Sequence, residues 1–193
     1  MKLIEHEEFD KRFFAALKAA YKEYTKRSFV EWGTDFVDVA LGVYEELRVD
    51  RLALLARRGG GTEAEKRELE AIDQAIAAYS IVRYSETMEG LFGVTQQVWK
   101  ERISRRTHKG RAVEAITQSF EYMDQLADLC REAKRLLSDL GLPTTGKGLM
   151  DVDYRIQIDL ESCKLASADY VTSLCARLEH IQSHEPDPSD AFQ

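Results

Sequence analysis

Apolar side chains recur at steps of three and four through most of this chain, the spacing that lines one face of an α-helix, and no proline interrupts it before residue 143. Phe9, Phe13, Ala16 and Ala20, widened by Leu17 and Tyr24, predict a helix over about residues 5 to 27. A second stripe, Phe29, Trp32, Phe36, Val39 and Val43, keeps the step but shifts its phase, so the chain reorients between the two. Ser28 and Glu31 have capping-box spacing, which starts a new helix there. That helix continues through Leu47 and Leu54 to Arg57 and Arg58, whose charges suit the negative end of a helix dipole. Gly59, Gly60 and Gly61 stop it, and Thr62 with Glu65 forms the next capping box. The pattern predicts a helical hairpin with antiparallel arms.

From residue 63 to about residue 104, Leu69, Ile72, Ile76 and Tyr79 make one stripe, while Met88, Leu91 and Val98 make another on a displaced phase. With Gly90 and Gly93 weakening the helix, this predicts a bend or break between Ser85 and Gly93. After Thr107 comes a long stripe, Val113, Ile116, Phe120, Met123, Ala127, Cys130, Leu137 and Leu140, closed by Gly141 and Pro143. Ile156, Leu160, Cys163, Tyr170, Leu174, Leu178 and Ile181 predict a last helix over about residues 149 to 183. Residues 184–193 mix prolines with acids and small polar groups and read as a disordered acidic tail. The expectation is an all-α, antiparallel bundle of five or six long helices, a single domain over residues 1–183.

With 193 residues, 44% hydrophobic and 32% charged, the chain is large enough to bury one sizeable core. Its formal charge of −7 opposes a general affinity for nucleic acid or an anionic membrane surface. The first residues carry acids where a secretory signal would be apolar, and no charge-free apolar run approaches about 18 residues, so a cytosolic chain without a membrane span is expected. Cys130, Cys163 and Cys175 are odd in number, fall within helical patterns and form no CxxC pair; reduced, buried thiols are expected.

Against this acidic background one corner is basic: Lys100, Arg102, Arg105, Arg106, His108, Lys109 and Arg111, with Glu101 the only acid among them. Such a cluster grips phosphates of RNA or an acidic partner, or complements the end of a helix dipole. Five residues separate Arg102 from His108, a spacing that resembles the Arg-x(4–6)-His signature of HEPN ribonucleases, a family of all-helical bundles. The resemblance implies that this pair would position and protonate the RNA backbone during cleavage. It rests on those two residues, and the polar residue that commonly follows the family's arginine is Ile103 here.

Other motifs are incomplete. His180 and His184, four apart on one helical face, could chelate a metal if a third ligand approached, but the sequence supplies none nearby. Gly141 to Gly148 satisfies GxxxxGK, then has glycine where a phosphate loop needs Ser or Thr, and it follows a predicted helix rather than a strand. Glu65, Glu68, Glu70 and Asp73 fall in immediate succession on what reads as one exposed turn, so they do not face one another across two helices as magnesium requires. Glu86 and Glu89 read as solvent-facing, without the Glu-x-x-His pairs of di-iron bundles. Tyr21, Tyr24, Tyr79 and Tyr84 are the aromatics that would anchor a partner if exposed.

With no complete catalytic constellation and no cofactor motif, the expected function is a non-enzymatic, cytosolic protein-interaction module: an adaptor, inhibitor or assembly subunit that binds another protein or itself as a homodimer. The alternative is RNA binding, or HEPN-like cleavage, at the basic corner of residues 100–111.

Overall fold

The computed structural model describes the backbone over residues 29–104, 111–144 and 158–186, and side chains over most of these stretches. Four α-helices and no strand are present among the described residues: α1 Phe29–Arg58, α2 Glu63–Ser104, α3 Arg111–Asp139 and α4 Ala168–Ser183. The chain is all-α in this part. The helix expected at residues 5 to 27, and the capping box at Ser28 and Glu31, lie outside the described residues or side chains.

The α1–α2 turn forms as the sequence predicts. Gly59 has φ 72°, and the amides of Gly60 and Gly59 reach back to the carbonyls of Leu55 and Ala56 at 3.2 and 3.4 Å. This is a Schellman closure, which satisfies carbonyls that the helix end would otherwise leave open. A Cβ on Gly61 would stand 2.5 Å from a Leu55 methyl, so any larger residue there would require that side chain to turn away. Thr62 then donates its amide to Glu65 Oε2 at 2.8 Å, and the Glu65 amide donates to Thr62 Oγ1 at 3.3 Å. The capping box is reciprocal, as its spacing requires.

Ion pairs across the hairpin give its register. Arg58 pairs with Glu65, Arg51 with Glu68, Arg48 with Asp73 and Asp38 with Arg83, so the partner climbs α2 as one descends α1 and the two helices run in opposite directions. Between the ladder's members lie Phe36, Val37, Ala40, Leu41 and Tyr44 of α1 and Ala71, Ile72, Ala75, Ala78, Tyr79 and Val82 of α2, all buried.

The Thr62–Glu65 box sets a pH dependence. The Thr62 amide bond, first, lowers the Glu65 carboxyl from its ordinary value of 4.5, helped by the Thr62 hydroxyl and by Arg58 and Arg51. A folded pKa below the unfolded one contributes stability that is complete above 4.5 and fades as pH falls through the folded value. Glu65→Gln is therefore expected to be less stable than the parent at pH 7, with the gap narrowing toward pH 3, in urea unfolding at both pH values; a gap independent of pH contradicts this.

No break occurs between Ser85 and Gly93: α2 is one helix of 42 residues, about 63 Å long. Of the second stripe, Leu91 is 48% exposed while Met88 is buried, so the shift in phase marks no break in the helix. The buried seam instead runs Ala78, Ile81, Val82, Ser85, Met88 and Phe92 without a shift, carried partly by small residues that an apolar count underrates. Two glycines cost the helix about 2 kcal/mol. Burying Met88 and Phe92 returns about 1.5–3 kcal/mol each, so continuity wins. Phe92 packs on Tyr122 of α3 with ring centroids 5.6 Å apart.

In α3 the core face is Tyr122, Leu126, Leu129, Cys130, Ala133, Leu136 and Leu137, while Ala127, placed in the predicted stripe, is exposed. A second Schellman closure ends it. Leu142 and Gly141 donate to the carbonyls of Leu137 and Ser138 at 2.8 and 3.0 Å, Gly141 has φ 76°, and Leu142 folds back into the core.

The last helix is shorter than its periodicity predicts. It begins at Ala168, not near residue 149, and residues 158–167 are turn and extended chain. Asp159 starts this strap by capping it, accepting from the Glu161 amide at 3.0 Å and the Ser162 hydroxyl at 2.5 Å. These local bonds compete with helix. Cys163, expected in a helix, is a buried strap residue, and Leu160 is half-buried there. Ser167 caps α4 by accepting from the Tyr170 amide at 3.2 Å. Glu185 accepts a bond from Tyr84 Oη at 3.0 Å, and Tyr84 lies 2.6 Å from Tyr122 Oη, while residues 187–193 of the expected tail lie outside the described residues.

Candidate functional site

Gln74, on α2 and only 2% exposed, positions the strap. Its side-chain amide donates to the Ala166 carbonyl at 2.9 Å and accepts from the Ala166 amide at 3.0 Å, imitating a backbone pairing. Lys164 donates its amide to the Asp139 carbonyl at 2.8 Å, and Arg67 reaches the Cys163 carbonyl at 3.5 Å. Backbone groups of Cys163, Lys164 and Ala166 thus have partners on α2 and α3.

Held this way, the strap delivers the first two turns of α4 alongside the first turns of α2 without closing the gap between them. A groove of about 480 Å³ opens there, lined by Leu69, Gln74, Ala168, Val171, Thr172 and Cys175, with Lys66, Glu70 and Asp73 on its α2 wall. Ala168, Val171, Thr172 and Cys175 fall at helical steps of three and four, so one face of α4 forms one wall. The opposite face of α4 buries Leu174 and Ile181, and Tyr170 and Arg177 bond Glu132 of α3 at 3.2 and 2.7 Å. A concave, largely apolar surface with a few polar groups on its wall is the usual form of a binding site.

Cys175 is half-buried in the groove, and burial, with the charge of Glu179 one turn on, raises its thiol pKa. That disfavours the thiolate, so the residue is suited to contact rather than nucleophilic chemistry. Cys130 and Cys163 are free and buried.

The sequence singled out other places. Residues 100–104 form the last turn of α2 and Arg111 opens α3, so the basic stretch spans the connection between them. The side chains of Lys100, Arg102 and Arg111, and Arg105, Arg106, His108 and Lys109 altogether, lie outside the described residues. Gly146, Lys147 and Gly148 do too, whereas Gly141 serves the α3 closure. His180 and His184 do share a face, with ring centroids 4.3 Å apart. His184 Nδ1 lies 2.8 Å from the His180 carbonyl, and no group of three metal-ligating side chains occurs among the described residues.

The acids are less exposed than they read. Glu65 is buried and Glu68 half-buried, both turned to arginines of α1, while Glu70 and Asp73 face the groove. Glu86 is half-buried; desolvation raises its carboxyl, opposed by Lys134 of α3 at 3.5 Å. Tyr79 is fully buried, so it anchors no partner, and Tyr84 is half-buried in its bond to Glu185. Val49 and Leu52 form a small exposed apolar patch on α1, 63% and 39% exposed. The groove itself was not legible in the sequence, because its two walls are about 100 residues apart and Gln74 bonds across that separation.

No protein-family model, curated protein or solved structure matches this chain. No helix among the described residues is long and apolar enough to cross a membrane.

Proposed function

We propose that this chain is a non-enzymatic protein-interaction module, an adaptor, inhibitor or assembly subunit within an antiparallel bundle of five or six helices, that meets its partner at the groove between α2 and α4. The groove carries the reading: an open apolar floor lies between two helices, and burial there disfavours the thiolate of Cys175. Rigid helices present side chains at fixed spacing, which lowers the ordering cost of association.

Val171 forms part of the floor, and a carboxylate there would be stranded without water in a complex. Affinity capture from the source cells with the parent chain and with Val171→Glu is expected to lose a specific partner in the variant while circular dichroism stays helical. Equal capture by both chains, or none by the parent, contradicts the reading. Loss of bound RNA on joint charge reversal of Arg105 and Arg106, with Val171→Glu harmless, would establish the basic corner instead.

A further inference from the structure

The geometry points to a basic amphipathic helix, offered by another protein, as the occupant of the α2–α4 groove; this rests on the interaction reading above and assigns its partner's chemistry. The groove's length sets the first constraint. Lys66 to Gln74 on α2 spans about 12 Å, and Ala168 to Cys175 on α4 spans about 10 Å. Two turns of a helix fill that length, bringing apolar side chains at i, i+3 or i+4, and i+7 onto Leu69, Ala168, Val171 and Cys175. An extended segment held by backbone pairing would instead need an open sheet edge, and none exists among the described residues.

Charge sets the second constraint. Glu70 lines the groove, and Glu179 stands one turn beyond Cys175, near enough for its charge to act on that thiol. Glu70 and Glu179 make no ion pair or hydrogen bond with a described residue. Asp73 is matched by Arg48 across the hairpin, and Lys66, the cation among the described lining residues, is turned to Glu63 at 2.6 Å. The apolar floor is thus flanked on both helices by carboxylates, Glu70 and Glu179, that make no ion pair among the described residues. The chain's net charge of −7 attracts a basic partner from a distance and sets two copies of this chain against each other. A helix with lysines or arginines on both flanks of a leucine stripe satisfies floor and flanks together.

The test uses an amidated peptide of about four turns, built of leucine, alanine and lysine with leucines at alternating steps of three and four, and a second peptide with glutamate for lysine. Fluorescence anisotropy with the full chain is expected to show micromolar binding of the lysine peptide and at least about tenfold weaker binding of the glutamate peptide. Val171→Glu adds negative charge while spoiling the floor, so it separates the groove from bulk attraction. Binding to that variant, and to Thr172→Lys, which sets a cation at the exposed edge, is expected to fall at least about tenfold. The lysine peptide should also slow alkylation of Cys175 by N-ethylmaleimide. Equal or tighter binding to both variants, equal binding of both peptides, unprotected Cys175 or no binding overturns the assignment. Partner capture lost in Val171→Glu without any lysine-peptide binding would remove this chemistry and leave the interaction role standing.

Discussion

Glu68→Ala is expected to lower the stability of this protein by about 3–5 kcal/mol, more than most single substitutions. Arg51 Nη2 meets Glu68 Oε1 at 2.9 Å with side chains only 5% and 14% exposed, so removing the carboxylate strands a guanidinium between two packed helices. Nε and Nη1 of Arg51 are buried without a hydrogen-bond partner, so the pair already bears part of the cost of desolvation. The double variant Arg51→Met with Glu68→Leu should therefore return to within about 1 kcal/mol of the parent or exceed it, because an apolar pair of similar volume needs no compensating charge. Urea unfolding followed by circular dichroism reads both. A single variant within about 1 kcal/mol of the parent, or a double variant as weak as the single one, contradicts this view of the hairpin.

The second large effect belongs to Tyr79. Its ring is fully buried, stacked on Tyr44 at 5.9 Å and edge-on to Phe36 at 6.5 Å, and its hydroxyl donates to the Pro143 carbonyl at 2.9 Å. It joins α1, α2 and the chain leaving α3 at one point. Tyr79→Ala is expected to cost about 3–5 kcal/mol through lost burial and the cavity left behind. Tyr79→Phe keeps the ring and loses one hydrogen bond, for about 1 kcal/mol, with the Pro143 carbonyl left to find another donor. Equal losses in the two variants would place the stabilisation in the hydroxyl rather than the ring.

The hairpin was legible because its signals are local. Gly59 and Gly60 supply the closure, and Thr62 and Glu65 bond each other across three residues, so spacing alone specifies the geometry. The course of α2 through Gly90 was not, since the choice between a break and a continuous helix depends on Phe92 meeting Tyr122, a contact between different helices. Periodicity extended the last helix too far for a similar reason. Ile156, Leu160 and Cys163 keep helical spacing, yet Asp159 and the distant Gln74 hold residues 158–167 as a strap. A spacing rule sees one chain segment at a time, and a groove formed by Leu69 and Val171 exists only once the strap has placed α4.

A photo-activated crosslinker set in turn at Thr172, Val49 and Arg105, in the cells that make this protein, tests the assignment of the groove most directly. Thr172 is a groove residue, Val49 belongs to the separate apolar patch on α1, and Arg105 to the basic stretch. The account predicts a discrete crosslinked protein from Thr172 and none from Val49 or Arg105, with the attachment point in a lysine- or arginine-rich amphipathic helix. Crosslinking from Val49 or Arg105 with Thr172 silent would contradict it.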